Sequence, residues 1–81
     1  TGTARKRIAH LMLMMMEFAT EPGGEIPQLS GTDIAAIIGA SPETVSRIIA
    51  DMKRNRVLEK TANGFYRGDT PALESSLETD T

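Results

Sequence analysis

The sequence predicts a mainly α-helical domain with a small β-hairpin near its end. Three observations carry this. An apolar stripe at helical spacing runs through Ile8, Leu11, Met12, Met15 and Ala19. Two helix start signals, Ser30 and Ser41, then follow one another closely. After them, Asn63-Gly64 separates two short runs rich in β-formers.

The 81 residues make one small domain with no room for a second core. Apolar residues form 40% of the chain, but Phe18, Phe65 and Tyr66 are its only aromatics, so the core should be aliphatic and rich in Met. There is no cysteine, which excludes disulfides, thiolate chemistry and cysteine-held metal and fits a cytoplasmic setting. A single His without a partnering carboxylate cluster argues against a metal site. The net charge is −2, but it is unevenly spread. Residues 68–81 carry Asp69, Glu74, Glu78 and Asp80 and no base, which leaves residues 1–67 at +2. The bases Lys53, Arg54, Arg56, Lys60 and Arg67 cluster, and a local basic patch matters more for phosphate contact than the total.

Taken in order, the first helix is expected over residues 4–20. Arg5-Lys6-Arg7 ahead of an apolar run has the outline of a signal peptide. However, His10 interrupts the run, Glu17 ends it, and no small-x-small cleavage site follows. The run is also too short to span a membrane. Leu13, Met14 and Met16 lie off the stripe, so this helix should be covered on more than one side. The cover would come from a partner domain or subunit, or from the small domain itself. Glu21-Pro22-Gly23-Gly24 breaks the helix. Residues 25–29 form a possible short strand that Pro27 restricts to an edge. Ser30 with Asp33 makes a capping-box-like start for a two-turn helix carrying Ile34, Ala35, Ile37 and Ile38, and Gly39 suits its left-handed end. The small residues Ala35 and Ala36 would let a second helix approach closely.

That second helix begins at once. Ser41 is a good N-cap, Pro42 fits the first helical position, and Glu43 places negative charge at the positive helix end. Val45, Ile48, Ile49 and Met52 form one apolar stripe. The first turns of the other face present Glu43, Thr44, Ser46 and Arg47, side chains suited to base edges in a major groove. An ordinary amphipathic surface helix would share much of this pattern. Two short helices joined through Gly39-Ala40-Ser41 form a helix-turn-helix over residues 30–54. Asn55 should end the second helix. Strands at 57–61 and 65–67, turning through Ala62-Asn63-Gly64, add a wing over 57–67. The domain is thus expected over residues 1–67 as a winged helix-turn-helix. Residues 68–81 are expected to be an acidic disordered tail, with a short frayed helix at 71–77 as the alternative.

Residues 29–67 resemble the C-terminal winged helix-turn-helix domain of the Crp/Fnr family of bacterial transcription regulators. The likeness rests on Ser30-Gly31-Thr32-Asp33-Ile34-Ala35 into Ile38-Gly39, on Ser41-Pro42-Glu43-Thr44-Val45-Ser46-Arg47, and on Val57-Leu58 with the hairpin. The resemblance implies that Glu43, Ser46 and Arg47 are the base-reading residues, in an Fnr-like pattern. Pro42 replaces the Arg of the cyclic-AMP-receptor type, so one guanine contact of that type is missing. It implies a palindromic site with TTGAT-like half-sites and phosphate contacts from Ser30 and Thr32. Gly31 stands where relatives often carry a polar or basic residue, which should weaken that grip.

The expected function is therefore sequence-specific binding of double-stranded DNA by a homodimeric, cytoplasmic regulator. RNA polymerase is a further candidate partner, no membrane is involved, and no reaction is catalysed. Ser41, Thr44 and Lys53 join Ser30 and Thr32 as candidate backbone contacts. Thr44 fits helix-start support better than base reading. Lys53, Arg54 and Arg56 fit a solvated face as well as phosphate contact. Arg47 could instead pair with Glu43 four residues back. The chain begins at Thr1 without Met, so an N-terminal sensor domain, with most of the dimer interface, is expected to be absent from this chain. No cofactor is expected in this domain, and the sensor's effector is left open. Two rival functions remain: a winged-helix protein-interaction module and a winged-helix regulator of another family.

Overall fold

The computed structural model describes residues 3–19, 25–27, 29–61 and 65–78. The expected breaker at 21–24 and the hairpin turn at 62–64 lie outside the described residues.

Helix α1 (Ala4–Glu17) starts at Thr3, whose hydroxyl accepts from the Lys6 N–H. It ends three residues before the expected Thr20. The Phe18 N–H still reaches the Met14 carbonyl, but the Ala19 N–H bonds to Met16, three residues back, so the last turn tightens and stops. Strand β1 (Ile26–Pro27) follows. Helix α2 (Gly31–Ile38) is capped by the Ser30 hydroxyl, which accepts from the Asp33 N–H at 3.0 Å. It ends at Gly39, with φ 75° and ψ 40°, a left-handed conformation that suits a residue without Cβ. Arg7 reaches across from α1 to donate to the Ile38 carbonyl at 2.8 Å, satisfying one of the free carbonyls of that helix end.

Helix α3 (Pro42–Arg54) has Ser41 as its N-cap and buries Val45, Ile48, Ile49 and Met52, the stripe read from spacing. Beyond its C-cap Asn55, the Arg56 N–H bonds to the Lys53 carbonyl and the Val57 N–H to Met52. This is a Schellman end, and Arg56 occupies the left-handed position with φ 62°.

Strands β2 (Leu58–Lys60) and β3 (Phe65–Gly68) pair antiparallel, with Lys60 opposite Tyr66 and Leu58 opposite Gly68. Strand β1 adds to the far side of β3, Ile26 opposite Tyr66, giving the order β1-β3-β2. The strand holding Pro27 is an edge strand, as proline requires.

One expectation fails. Residues 70–78 are not a disordered tail but helix α4 (Thr70–Glu78). Asp69 caps it, its carboxylate accepting from the Ala72 N–H at 3.2 Å. Leu73 is fully buried, and Leu77, one turn on, is half-buried. Helix α4 packs along α1 more extensively than any other pair of elements does. Helix α4 thus supplies part of the second cover that α1 called for, while Met14 stays exposed. The buried stripe of α1 becomes Ile8, Ala9 and Met12, while Leu11, Met15 and Ala19 are only half-buried. The core is aliphatic with Met12 and Met52, and Tyr66 closes it beneath the sheet.

Candidate nucleic-acid interface

The stripe Val45, Ile48, Ile49 and Met52 fixes how α3 is rotated. The opposite face must then point outward, and Glu43, Ser46 and Arg47 are all exposed. Among the described residues, no hydrogen bond or ion pair engages the side chains of these three. The alternative in which Arg47 pairs with Glu43 is therefore not what the helix does. A carboxylate, a hydroxyl and a guanidinium stand free within little more than one helical turn.

The candidate backbone residues divide into two groups. The Ser41 hydroxyl accepts from the Thr44 N–H at 3.2 Å and donates to the Thr44 hydroxyl at 2.9 Å. Both residues thus work first in starting α3, and only the Thr44 hydroxyl proton is left to give. Thr44 is half-buried, as a supporting residue should be. Ser30 is likewise occupied in capping α2, whereas Thr32 is exposed on the first turn of that helix. Lys53 is exposed, and its ammonium lies 5.5 Å from the centre of the Tyr66 ring, within cation–π range. The wing strand β3 therefore holds the side chain of a candidate phosphate contact on α3.

An open cleft of about 260 Å³ runs beside the outward face, lined in part by Ser30, Gly31, Ser46, Lys53 and Tyr66. On the opposite flank Asp51 accepts a charged hydrogen bond from Arg5 and lies 3.4 Å from Arg54. The Arg5 hydrogen bond, and then the nearby Arg5 and Arg54 charges, hold the Asp51 carboxyl below its ordinary range despite some opposing desolvation. Arg5 thus neutralises the acid on this flank of α3. On the wing, Arg67 pairs with Glu25 at 2.7 Å, so part of its charge is spent within the domain. Sequence reasoning missed Arg5, Asp51 and Tyr66. Each acts through a partner remote along the chain, for which periodicity carries no signal.

Among the described residues no group of three or more His, Asp or Glu is gathered as a metal would require, and no helix is long and apolar enough to cross a membrane.

The family model for the Crp-like helix-turn-helix domain matches residues 6–76, from the first turn of α1 almost to the end of α4. The chain belongs to that family. A Crp-like helix-turn-helix domain works in DNA binding for transcription regulation, and neither this family nor this fold is that of an enzyme. Membership sets aside a winged-helix regulator of another family. The match also takes in α4, so the last helix lies within the family's domain. Among solved structures, a transcriptional regulator of the CRP/FNR family from Thermus thermophilus has a similar fold. Its TM-score is 0.77 at 23% identity, over 100% of this chain and 43% of that one. The Crp-like domain thus spans less than half the length of that relative. No curated protein matches the sequence significantly.

Proposed function

We propose that this domain binds double-stranded DNA with α3 in the major groove, where Glu43, Ser46 and Arg47 read base edges. The observation that carries the reading is that these three exposed side chains have no partner among the described residues, while four buried aliphatic side chains hold the helix from behind. Each group has a matching base edge. The Arg47 guanidinium donates two hydrogen bonds to guanine O6 and N7, the Glu43 carboxylate accepts from cytosine N4, and the Ser46 hydroxyl meets a thymine edge. Lys53, Thr32 and the Thr44 hydroxyl proton serve the phosphates. Ser30 and Ser41 serve them indirectly, by aiming the starts of their helices.

The half-sites are TTGAT-like. Two copies place their α3 helices about 34 Å apart on a palindrome. They dimerise through a sensor segment outside this chain, in a cytoplasmic regulator that meets RNA polymerase. The domain alone therefore binds weakly.

A second reading has one observation in its favour. Between α1, α2 and the end of α4 lies an apolar groove of about 690 Å³ with Met14 and Ile37 exposed, the kind of surface that a protein partner covers. Titration of the domain against a labelled TTGAT-N4-ATCAA duplex and a scrambled one, at several salt concentrations, separates the two readings. DNA reading yields preference for the first duplex and a negative log–log salt slope. A protein-interaction module yields neither.

A further inference from the structure

Gly31 lines the cleft beside Ser46. Gly31 opens α2, and a Cβ built on it would lie 3.3 Å from the Ser46 hydroxyl oxygen and 4.0 Å from the Pro42 carbonyl oxygen. The first of these distances is closer than side-chain carbons normally tolerate. The glycine is not demanded by its backbone: among the described residues, Gly39 is the glycine with positive φ, and Gly31 is helical. Alanine would favour the helix more. What glycine does at position 31 is spatial. It leaves the Ser46 hydroxyl free to lie against the start of α2, at the edge of the reading face.

We propose that Gly31 is a specificity-determining residue that acts by setting the position of the Ser46 hydroxyl, without touching the base itself. This rests on the DNA-reading function proposed above. The Ser46 oxygen is the end of a short side chain with three staggered positions. A methyl group on residue 31 would push that oxygen back by a few tenths of an ångström or turn it towards another of them. A hydroxyl rotated about Cα–Cβ points its proton and lone pairs elsewhere, so the preferred base at that one position changes. Arg47 lies further round the exposed face and does not line the cleft, so its guanine is read as before.

The test is a double-mutant cycle on the whole chain, with Gly31→Ala, Ser46→Ala and both together. Each protein is titrated against TTGAT-N4-ATCAA duplexes varied symmetrically, one half-site base pair at a time. Thermal melting confirms that all four proteins are folded. Ser46→Ala identifies the base pair that the hydroxyl reads. Gly31→Ala should shift preference at that same pair by about five- to tenfold, the low end of the range of a single mismatch. It should leave the guanine–cytosine pair unaffected and have no further effect once Ser46 is alanine. Gly31 is overturned as a specificity residue if its substitution leaves the profile unchanged, or if it acts equally with and without the Ser46 hydroxyl. If the wild-type protein itself shows no preference among the duplexes, the DNA-reading function fails first, and that result is distinct from either of these.

Discussion

Arg5, in the first turn of α1, donates a charged hydrogen bond to Asp51 on α3, 46 residues later. The pair ties the first helix to the flank of the outward-facing one and holds the Asp51 carboxyl below its ordinary value of 3.8. A carboxyl whose folded pKa is lowered adds stability above its unfolded value and loses it as pH falls through the folded one. Wild-type stability should therefore decline as pH drops below about 4. Arg5→Met should melt lower than wild type at neutral pH, and the gap should close in acid. Melting curves from pH 7 to pH 2 check this. A gap that stays constant across that range contradicts it.

Helix α4 is docked, not appended. Leu73 is fully buried against α1, so Leu73→Ala should cost about 2–5 kcal/mol. In a domain of this size that lowers the melting temperature by about 10 °C or more. Exposed Glu74→Ala is the control and should melt within a degree or two of wild type. Equal melting of Leu73→Ala and wild type would show that the helix contributes nothing.

Two helix ends should respond with opposite signs. Arg56 holds φ 62°, which costs a residue with Cβ about 1 kcal/mol or more, so Arg56→Gly should stabilise by about 0.5–1 kcal/mol after the loss of unfolded-chain restraint. Gly39 holds φ 75°, so Gly39→Ala should destabilise by about 1–2 kcal/mol. Urea unfolding of both variants measures the pair.

Arg47→Ala should lose about 1–3 kcal/mol of specific binding per half-site and relax discrimination at the guanine. Competition between duplexes altered at that base pair reports the loss. Unchanged discrimination would remove Arg47 from the reading set.

Lys53 should behave differently. Lys53→Ala should weaken binding to all duplexes alike and reduce the salt slope by about 1. Tyr66→Phe keeps the ring beneath the ammonium and should leave both the slope and the affinity close to wild type.

Helix α3 was legible because several local rules agree within it. Its N-cap, the proline after it and the stripe from Val45 to Met52 are each short-range, and together they leave one possible rotation for Glu43, Ser46 and Arg47. Helix α4 was harder to read. Leu73 and Leu77 form a stripe of only two residues, and the surrounding acids dominate the average composition. The stripe becomes decisive only once α1 is there to receive it. The Arg5–Asp51, Lys53–Tyr66 and Gly31–Ser46 relationships were invisible for a related reason. Each joins elements whose crossing is set by tertiary packing, which spacing along the chain does not encode.

Pairing Ile26 with Tyr66 clasps the chain into a ring that contains both helices of the central motif. Closing a ring of about forty residues costs roughly 3 kcal/mol of chain entropy, repaid once for everything inside it. The wing is thus also a latch. The helices inside the ring also pack on one another and on α1, so the latch reinforces a hold that they already have.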